Sequence, residues 1–411
     1  MDRTEVVVTG LGAITPLGAD AASTWDALLA GASGIRGGVM GEQEGDGLPE
    51  TVAGTMAADP AESLSPVRAR RLDRSQQAAL AAAAGAWADA GTPDADPDRL
   101  AAAIGTGIGG VQTLLAQDDV LEASGTRRVS PRTVPMLMPN AAAALISIEY
   151  GARAGVYTPV SACSSGAEAI ALGARLIRAG EADVVIAGGT EAAITPITVA
   201  GFAQAKALSR HTDDPASASR PFAADRSGFV LSEGAAVMVL ESAEHARARG
   251  ARVHAVLAGA GIAADAHHIT APAADGSGQI AAMRKALTQA GLAPGDISHV
   301  NAHATGTPLG DAAEAHAIGQ LLGRATVTAP KAALGHLFGA AGAIEALIAV
   351  LSVEHATIPP TRNLTATGAD PDITRALDLV TEPRHAPQQA VLSNSFGFGG
   401  QNVSLVFTGA R

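Results

Sequence analysis

Short runs of β-branched residues alternate along this chain with longer alanine-rich stretches. Val6–Thr9 predicts a strand ended by Gly10 and Gly12, and Asp20 to Leu29 predicts a helix with Trp25 and leucines on one face. The Gly-, Pro- and acid-rich region from Gly31 to Pro66 reads as a surface excursion. Leu72 to Ala90 predicts a helix stopped by Gly91, and Ala101–Ile104 a buried strand before a glycine turn. Thr158–Ala162 predicts a strand, Ser164–Ala179 a helix and Asp183–Ala187 a further strand. Glu241–Gly250 reads as a connecting helix, and a second series from about Val253 carries strands at Val300–Ala302 and Ala390–Leu392. No internal repeat is visible by eye. Apolar strands in β-α-β order predict an α/β fold with mostly buried strands.

Composition narrows the class. A chain of 411 residues, 47% hydrophobic and 17% charged, is globular with a large core. Aromatics are only 3%, so that core is built from small side chains. A net charge of -12 argues against generic nucleic-acid binding. One cysteine permits no intrachain disulfide and fits a reducing compartment. The start of the chain lacks the pattern of a secretory signal, and the charge-free stretch Ala101–Gln117 is broken by glycines, so a cytoplasmic protein without a membrane span is expected.

The most informative segment is Val160-Ser161-Ala162-Cys163-Ser164-Ser165-Gly166. It puts the only cysteine between a predicted strand and a predicted helix, among residues small enough for a tight turn. Unpaired amides and the dipole at a helix N-terminus favour an anion, so the thiol pKa is expected to fall below its free value of about 8.5. A buried, inert cysteine is the alternative. Two histidines shift the balance. His303 lies in "NAHATGTPLGD" after a strand, and His336 lies in "GHLFGAAG" between Lys331 and an apolar helix containing Glu345. No His/Cys/carboxylate set has zinc spacing, so no metal is required, and adjacent His267 and His268 would point apart on a strand.

The segment "TPVSACSSGAEAI" resembles the active-site motif of the elongating β-ketoacyl-[acyl-carrier-protein] synthases, a thiolase-fold family. The resemblance runs from "VVVTGLGAITPLG" to "SNSFGFGGQN" and is strongest to actinobacterial type II enzymes. It implies a duplicated, thiolase-like α/β fold layered α-β-α-β-α, with mixed, mostly parallel sheets. Residues 1–250 would form the half with the nucleophile, and 251–411 the half with both histidines and a gating loop.

The implied reaction is a decarboxylative Claisen condensation of a Cys163-bound acyl group with malonyl-carrier, giving a 3-oxoacyl-carrier product. Charge builds on the thioester oxygen of the malonyl group, and His303 and His336 would donate to it; one such donor is worth about 3–4 kcal/mol. By the same resemblance Lys331 organises the histidines and Glu314 lies near it. Phe398 and Phe396 belong to a mobile gate, and the amides of Phe398 and Cys163 form an oxyanion hole. Gly105–Gly110 matches G-x-G-x-x-G after a strand, but Asp118 and Asp119 come too early for a ribose contact, so it is a poor nucleotide loop; by the resemblance Ile108 instead lines the acyl tunnel. Thr270, Thr305 and Thr307 would hold the 4'-phosphopantetheine arm of the carrier; no other cofactor is implied. Asn301, Glu345, Ser393 and Asn394 match positions near which a monovalent cation can sit. The sequence reads His303-Ala304-Thr305 where many relatives have glycine second.

The implied partner is an acyl carrier protein. Because such carriers are acidic, docking needs local basic ground, for which Arg68, Arg70, Arg71 and Arg74, with Arg127, Arg128 and Lys206, are candidates; a solvated charge face is the alternative. A homodimer is expected, or a heterodimer with a chain-length factor if the enzyme serves polyketide rather than fatty-acid synthesis. A thiolase would need a second cysteine. A starter-type synthase would have a Cys-His-Asn set, and a chain-length factor itself usually lacks the nucleophile.

Overall fold

The computed structural model describes residues 4–39, 51–365 and 367–410. Its first half contains β1 (Val6–Ile14), α1 (Arg74–Asp89), β2 (Leu100–Gly105), β3 (Gly155–Tyr157), α2 (Ser165–Arg178), β4 (Val184–Glu191) and β5 (Gly234–Ser242). The second contains β6 (Ala255–Ala264), α3 (Ser277–Ala290), β7 (His299–Asn301), α4 (Pro308–Leu322), β8 (Thr326–Thr328), α5 (Ala341–Glu354), β9 (Asp378–Leu379), β10 (Ala390–Gly397) and β11 (Gln401–Thr408).

These strands form one sheet in the order β9-β8-β7-β10-β11-β6-β1-β5-β4-β2-β3. Read outward from its centre, the order repeats. In the first half β1, β5 and β4 pair antiparallel and β4, β2 and β3 parallel. In the second, β6, β11 and β10 pair antiparallel and β10, β7 and β8 parallel, with β9 added outside. Within this sheet the halves join through two residue pairs, Val7 with Val256 and Val8 with Ala255, and outside it Leu231 bridges His336 and Ala223 bridges Ala369. The duplicated α/β fold is therefore present, with a repeat that the eye missed in the sequence. The pairings are an even mix rather than mostly parallel.

The repeat extends to side chains. A Cβ on Gly10 or Gly12 of β1 would lie 2.1 or 2.0 Å from the carbonyls of Ala86 and Ala82 on α1. Gly259 and Gly261 of β6 meet Ala286 and Ala282 of α3 at the same 2.1 and 2.0 Å. Gly10 and Gly12 thus do not end the first strand. They let it run on to Ile14 while a helix lies directly on its backbone. The central layer is α2 against α5, whose residues Ala341–Val353 are all buried. A helix apolar all round is one enclosed on every side. α1 covers the outer face of the first half, and α3 and α4 that of the second.

Local signals hold elsewhere with shifts. Asp20 and Asp73 cap their helices through capping boxes, and the connecting helix is shorter than expected, Ala243–Ala248, because Glu241 is still in β5. Thr158–Ala162 is not a strand. The ladder stops at Tyr157, Pro159 has no amide to continue it, and Ala162 turns into the left-handed region. Of the expected surface excursion, residues 40–50 lie outside the described residues. Ile35 and Ala53 are buried and belong to a small three-stranded sheet with Leu231–Ser232.

Candidate active site

Three chain segments converge at one end of the central helices. A single 3-10 turn, Ala162–Ser164, leads into α2 and presents Cys163; a matching turn, Phe338–Ala340, follows His336 and leads into α5. His303 lies just beyond β7. Cys163 Sγ is 3.0 Å from His336 Nε2, and the imidazoles meet edge to face at 5.5 Å. Ligand atoms of Cys163, His303 and His336 all lie within 4.8 Å of one another, a cluster close enough to hold a metal ion that no sequence spacing disclosed.

Both imidazoles are buried and neutral. Burial, reinforced by the Lys331 charge, holds each well below its ordinary pKa. The groups facing each Nδ1 set the tautomers. Phe338 N–H points at His336 Nδ1 (3.3 Å) and the Lys331 ammonium at His303 Nδ1 (3.3 Å). With each Nδ1 accepting, the proton sits on Nε2. Lys331, itself buried, is ion-paired with Glu345. Glu345 is therefore the acid in direct contact with the lysine. Glu314 instead accepts from the amides of His303 (2.9 Å) and Ala304 (2.7 Å), shaping the loop. Burial raises both carboxyls to about 7, with Lys331 among the groups opposing the rise. Ala304 is fully buried without a left-handed φ, so the methyl that replaces glycine there is accommodated.

The expected low thiol pKa is not found. Burial pushes Cys163 up to about 11 against the opposing pull of Lys331 and of the Phe398 amide, which donates to the sulfur. Desolvation of a fully enclosed sulfur outweighs the helix terminus. Cys163 therefore rests as a thiol.

A cavity of about 510 Å³ opens onto these groups. Ile108, Phe396, Phe398, Thr270, Thr305, Thr307, Glu314 and Lys206 line it with Cys163 and both histidines. The hydroxyls of Thr305 and Thr307 are 3.1 Å apart. Phe396 and Phe398 lie at the bend from β10 to β11, and a Cβ on Gly397 would come within 3.1 Å of the Cys163 amide. Phe202, Phe229 and Phe338 also line the cavity, and Phe338 stacks on His336 at 4.8 Å. Five of the seven phenylalanines thus meet here; in a chain so poor in aromatics, their mere positions were a usable signal. Two further features escaped the sequence reading: Asp265, which accepts from Asn402 at 2.6 Å beneath the gate, and Glu191, discussed below.

Asn301 and Ser393 are register partners on adjacent strands, and Asn301 donates to the Glu345 carbonyl. Asn301 Oδ1 and Glu345 Oε2 are buried acceptors without a donor, a set that fits a hard monovalent cation. The Asn394 side chain does not join them. It faces the opposite side of β10, donating to Glu314 (3.3 Å) and accepting from Ser404 (2.8 Å), as strand alternation requires. Of the basic candidates, Arg70, Arg71, Arg127, Arg128 and Lys206 are exposed, Arg68 pairs with Glu149 at 2.6 Å, and Arg74 is committed to buried Glu233.

Comparison with known proteins agrees with this geometry. Family models for the beta-ketoacyl synthase N-terminal and C-terminal domains match residues 3–246 and 254–365. A 3-oxoacyl-[acyl-carrier-protein] synthase 2 from Mycobacterium tuberculosis is 46% identical over 98% of this chain and 96% of its own, and one from Rhizobium meliloti is 43% identical over 98% of each. Among solved structures, a beta-ketoacyl synthase from Burkholderia phymatum superposes with a TM-score of 0.90 at 34% identity, covering 99% of this chain and 100% of its own. A type II PKS acyl-carrier protein in complex with its ketosynthase bound to the hexaketide gives 0.90 at 29% over the full length of both chains. Matches spanning both halves at this identity mean that the chain belongs to the beta-ketoacyl synthase family.

Proposed function

We propose that this protein is a 3-oxoacyl-[acyl-carrier-protein] synthase of fatty-acid elongation. The observation that carries the reading is the Cys163 sulfur 3.0 Å from His336 Nε2, with His303 beside it, at the wall of an apolar cavity. Cys163 attacks an acyl-phosphopantetheine thioester, the acyl group moves to sulfur, and the thiol proton leaves on the released carrier thiol. Malonyl-carrier enters along Thr270, Thr305 and Thr307. Loss of carbon dioxide leaves an enolate, whose oxygen receives the Nε2–H groups of His303 and His336. The enolate carbon attacks the acyl carbonyl, whose oxyanion faces the amides of Cys163 and Phe398. Collapse forms the 3-oxoacyl product and frees the Cys163 thiolate, which takes up one proton per turnover. Splitting the reaction at a covalent intermediate replaces one hard step by two easier ones.

Asn301 and Glu345 would hold the cation, which supplies fixed positive charge beneath the histidine network. The carrier's 4'-phosphopantetheine is the only prosthetic group the chemistry uses. Arg70, Arg71, Arg127, Arg128 and Lys206 offer exposed cations for an acidic carrier. The unpaired edge of β3, with Val156 44% exposed, supports a dimer through that edge. A reducing cytoplasm suits a single free thiol.

Offering acyl-carriers of graded length to the purified protein and weighing it intact tests the reading. Wild type gains one acyl mass and then yields 3-oxoacyl-carrier with malonyl-carrier; Cys163→Ala gains none. Acylation of Cys163→Ala, or none of wild type, would refute it. The solved ketosynthase/chain-length-factor pairs, at TM-scores up to 0.91, favour a second reading in polyketide synthesis. Condensation only after a second, related subunit is added would establish that one.

A further inference from the structure

The duplicated fold makes the same turn twice, and only one copy does chemistry. Ala162–Ser164 precedes α2 as Phe338–Ala340 precedes α5. Each turn opens on a non-glycine residue in the left-handed region, Ala162 at φ 53° and Phe338 at φ 46°. In this register Cys163 corresponds to Gly339, and Gly166 to Gly342, each of which packs closely on the opposite central helix. The Cys163 amide is the one assigned above to the acyl oxyanion. Its counterpart, the Gly339 amide, already has an acceptor: it donates to Glu191 Oε2 at 3.1 Å.

Glu191 ends β4 and is fully buried. Besides Gly339 it accepts from the amides of Gly107 (2.6 Å) and Ile108 (3.3 Å) and from the Thr106 hydroxyl (3.1 Å). Thr106 in turn accepts from the Gly109 amide. One carboxylate therefore grips the loop that carries Ile108 into the acyl cavity and the turn that follows His336. The two segments touch: a Cβ on Gly339 would stand 2.3 Å from the Gly107 nitrogen. Within the His336 turn, successive amides divide their work. Phe338 N–H fixes the imidazole and Gly339 N–H fixes Glu191. A left-handed phenylalanine is costly backbone that persists only where neighbours over-determine it. Glu191 is not among the residues lining the cavity, so it acts through others.

We propose that Glu191 is a positioning residue: a resident carboxyl group whose oxygens fill the second, silent copy of the turn and lock the acyl-cavity loop to the turn that aims His336. Acyl-chain fit and malonyl decarboxylation are thereby linked through one side chain. The inference rests on the reading of Cys163 as the acyl acceptor and of His336 as an enolate donor.

Glu191→Gln keeps the shape but places an NH2 against N–H donors. The test measures alkylation of Cys163 by iodoacetamide and by N-dodecyl iodoacetamide, followed by intact mass, together with carbon dioxide release from malonyl-carrier and the melting temperature. The expected result is a folded variant in which the long-to-short probe rate ratio falls at least tenfold and decarboxylation falls at least tenfold as well. Both quantities within twofold of wild type would overturn the proposal, as would loss of only one of them. Where E191Q does not accumulate, Thr106→Val, which removes one of the four bonds, carries the same comparison with smaller shifts in the same direction. The probe ratio needs no carrier. A wild type that prefers the long probe yet takes no acyl group from acyl-carrier defeats the functional reading, while the ratio in E191Q still decides the role of Glu191.

Discussion

Burial, aided by Lys331, keeps His303 and His336 neutral, and a backbone amide and an ammonium face their Nδ1 atoms, which suits both rings to the proposed donor role. Removing one preorganised donor of this kind costs about 3–4 kcal/mol, or roughly 10²–10³ in rate. For His303→Ala we expect carbon dioxide release from malonyl-carrier to fall by that factor while intact-mass acylation of Cys163 persists, since of the two imidazoles it is His336 that contacts the sulfur. Loss of acylation in equal proportion would count against the division of labour. At this scale the sequence was legible where a residue's chemistry is rare: the lone cysteine and the two histidines in small-residue loops all fall in the site. It was not legible where environment decides. The same cysteine in the same turn reads as a lowered pKa from the helix terminus, yet enclosure drives it up to about 11. Whether Glu314 or Glu345 meets Lys331 is likewise a matter of three-dimensional packing, not of spacing.

The paired contacts of β1 on α1 and β6 on α3 make a quantitative claim about elements. Gly12→Ala and Gly261→Ala both place a methyl 2.0 Å from a helix carbonyl, far inside van der Waals contact, so strand or helix must shift. Each is expected to destabilise by about 1–3 kcal/mol through overpacking. Gly201→Ala, in the helix Pro196–Gln204 with open space around the site, is expected to be neutral or to stabilise by up to about 1 kcal/mol. Urea midpoints of the three variants check this, and an undisturbed Gly12 or Gly261 variant would show that the helix can shift. These glycines also explain which elements were readable. Helices announced themselves by alanine-rich runs with a glycine stop, as in Leu72–Ala90 before Gly91. The first strand was cut short in the reading because glycine inside a strand looks like a stop until a helix is seen lying on it. The G-x-G of β1 recurs in β6 as Gly259 and Gly261, a repeat too short to stand out without the topology.

At the scale of the whole molecule the two halves share two ladder pairs at the centre of the main sheet, and a charged clamp reinforces that seam. His254, whose amide donates to Val8, sits between Asp89 of α1 (2.9 Å) and Glu354 of α5 (2.8 Å). Burial alone would lower the His254 pKa, but the two carboxylates more than reverse this and raise it to about 9. A raised histidine pKa stabilises the fold fully below about 6.5, and the contribution fades as pH climbs through about 9. Asp89 and Glu354 are held below their ordinary values, so their share is lost on acidification instead. His254→Gln is therefore expected to lose up to roughly 3 kcal/mol near pH 6 and progressively less toward pH 10, as read from chemical denaturation across that range. A pH-independent loss would mean that the ring is held by packing alone. The central helices carry a different consequence. α2 finds its buried partner only when α5 has been made, and 162 residues lie between Arg178 and Ala341. At ribosomal speeds of ~5–20 residues per second that is a wait of roughly 8–30 s, during which a nascent chain shows the cell an apolar helix face in need of a chaperone.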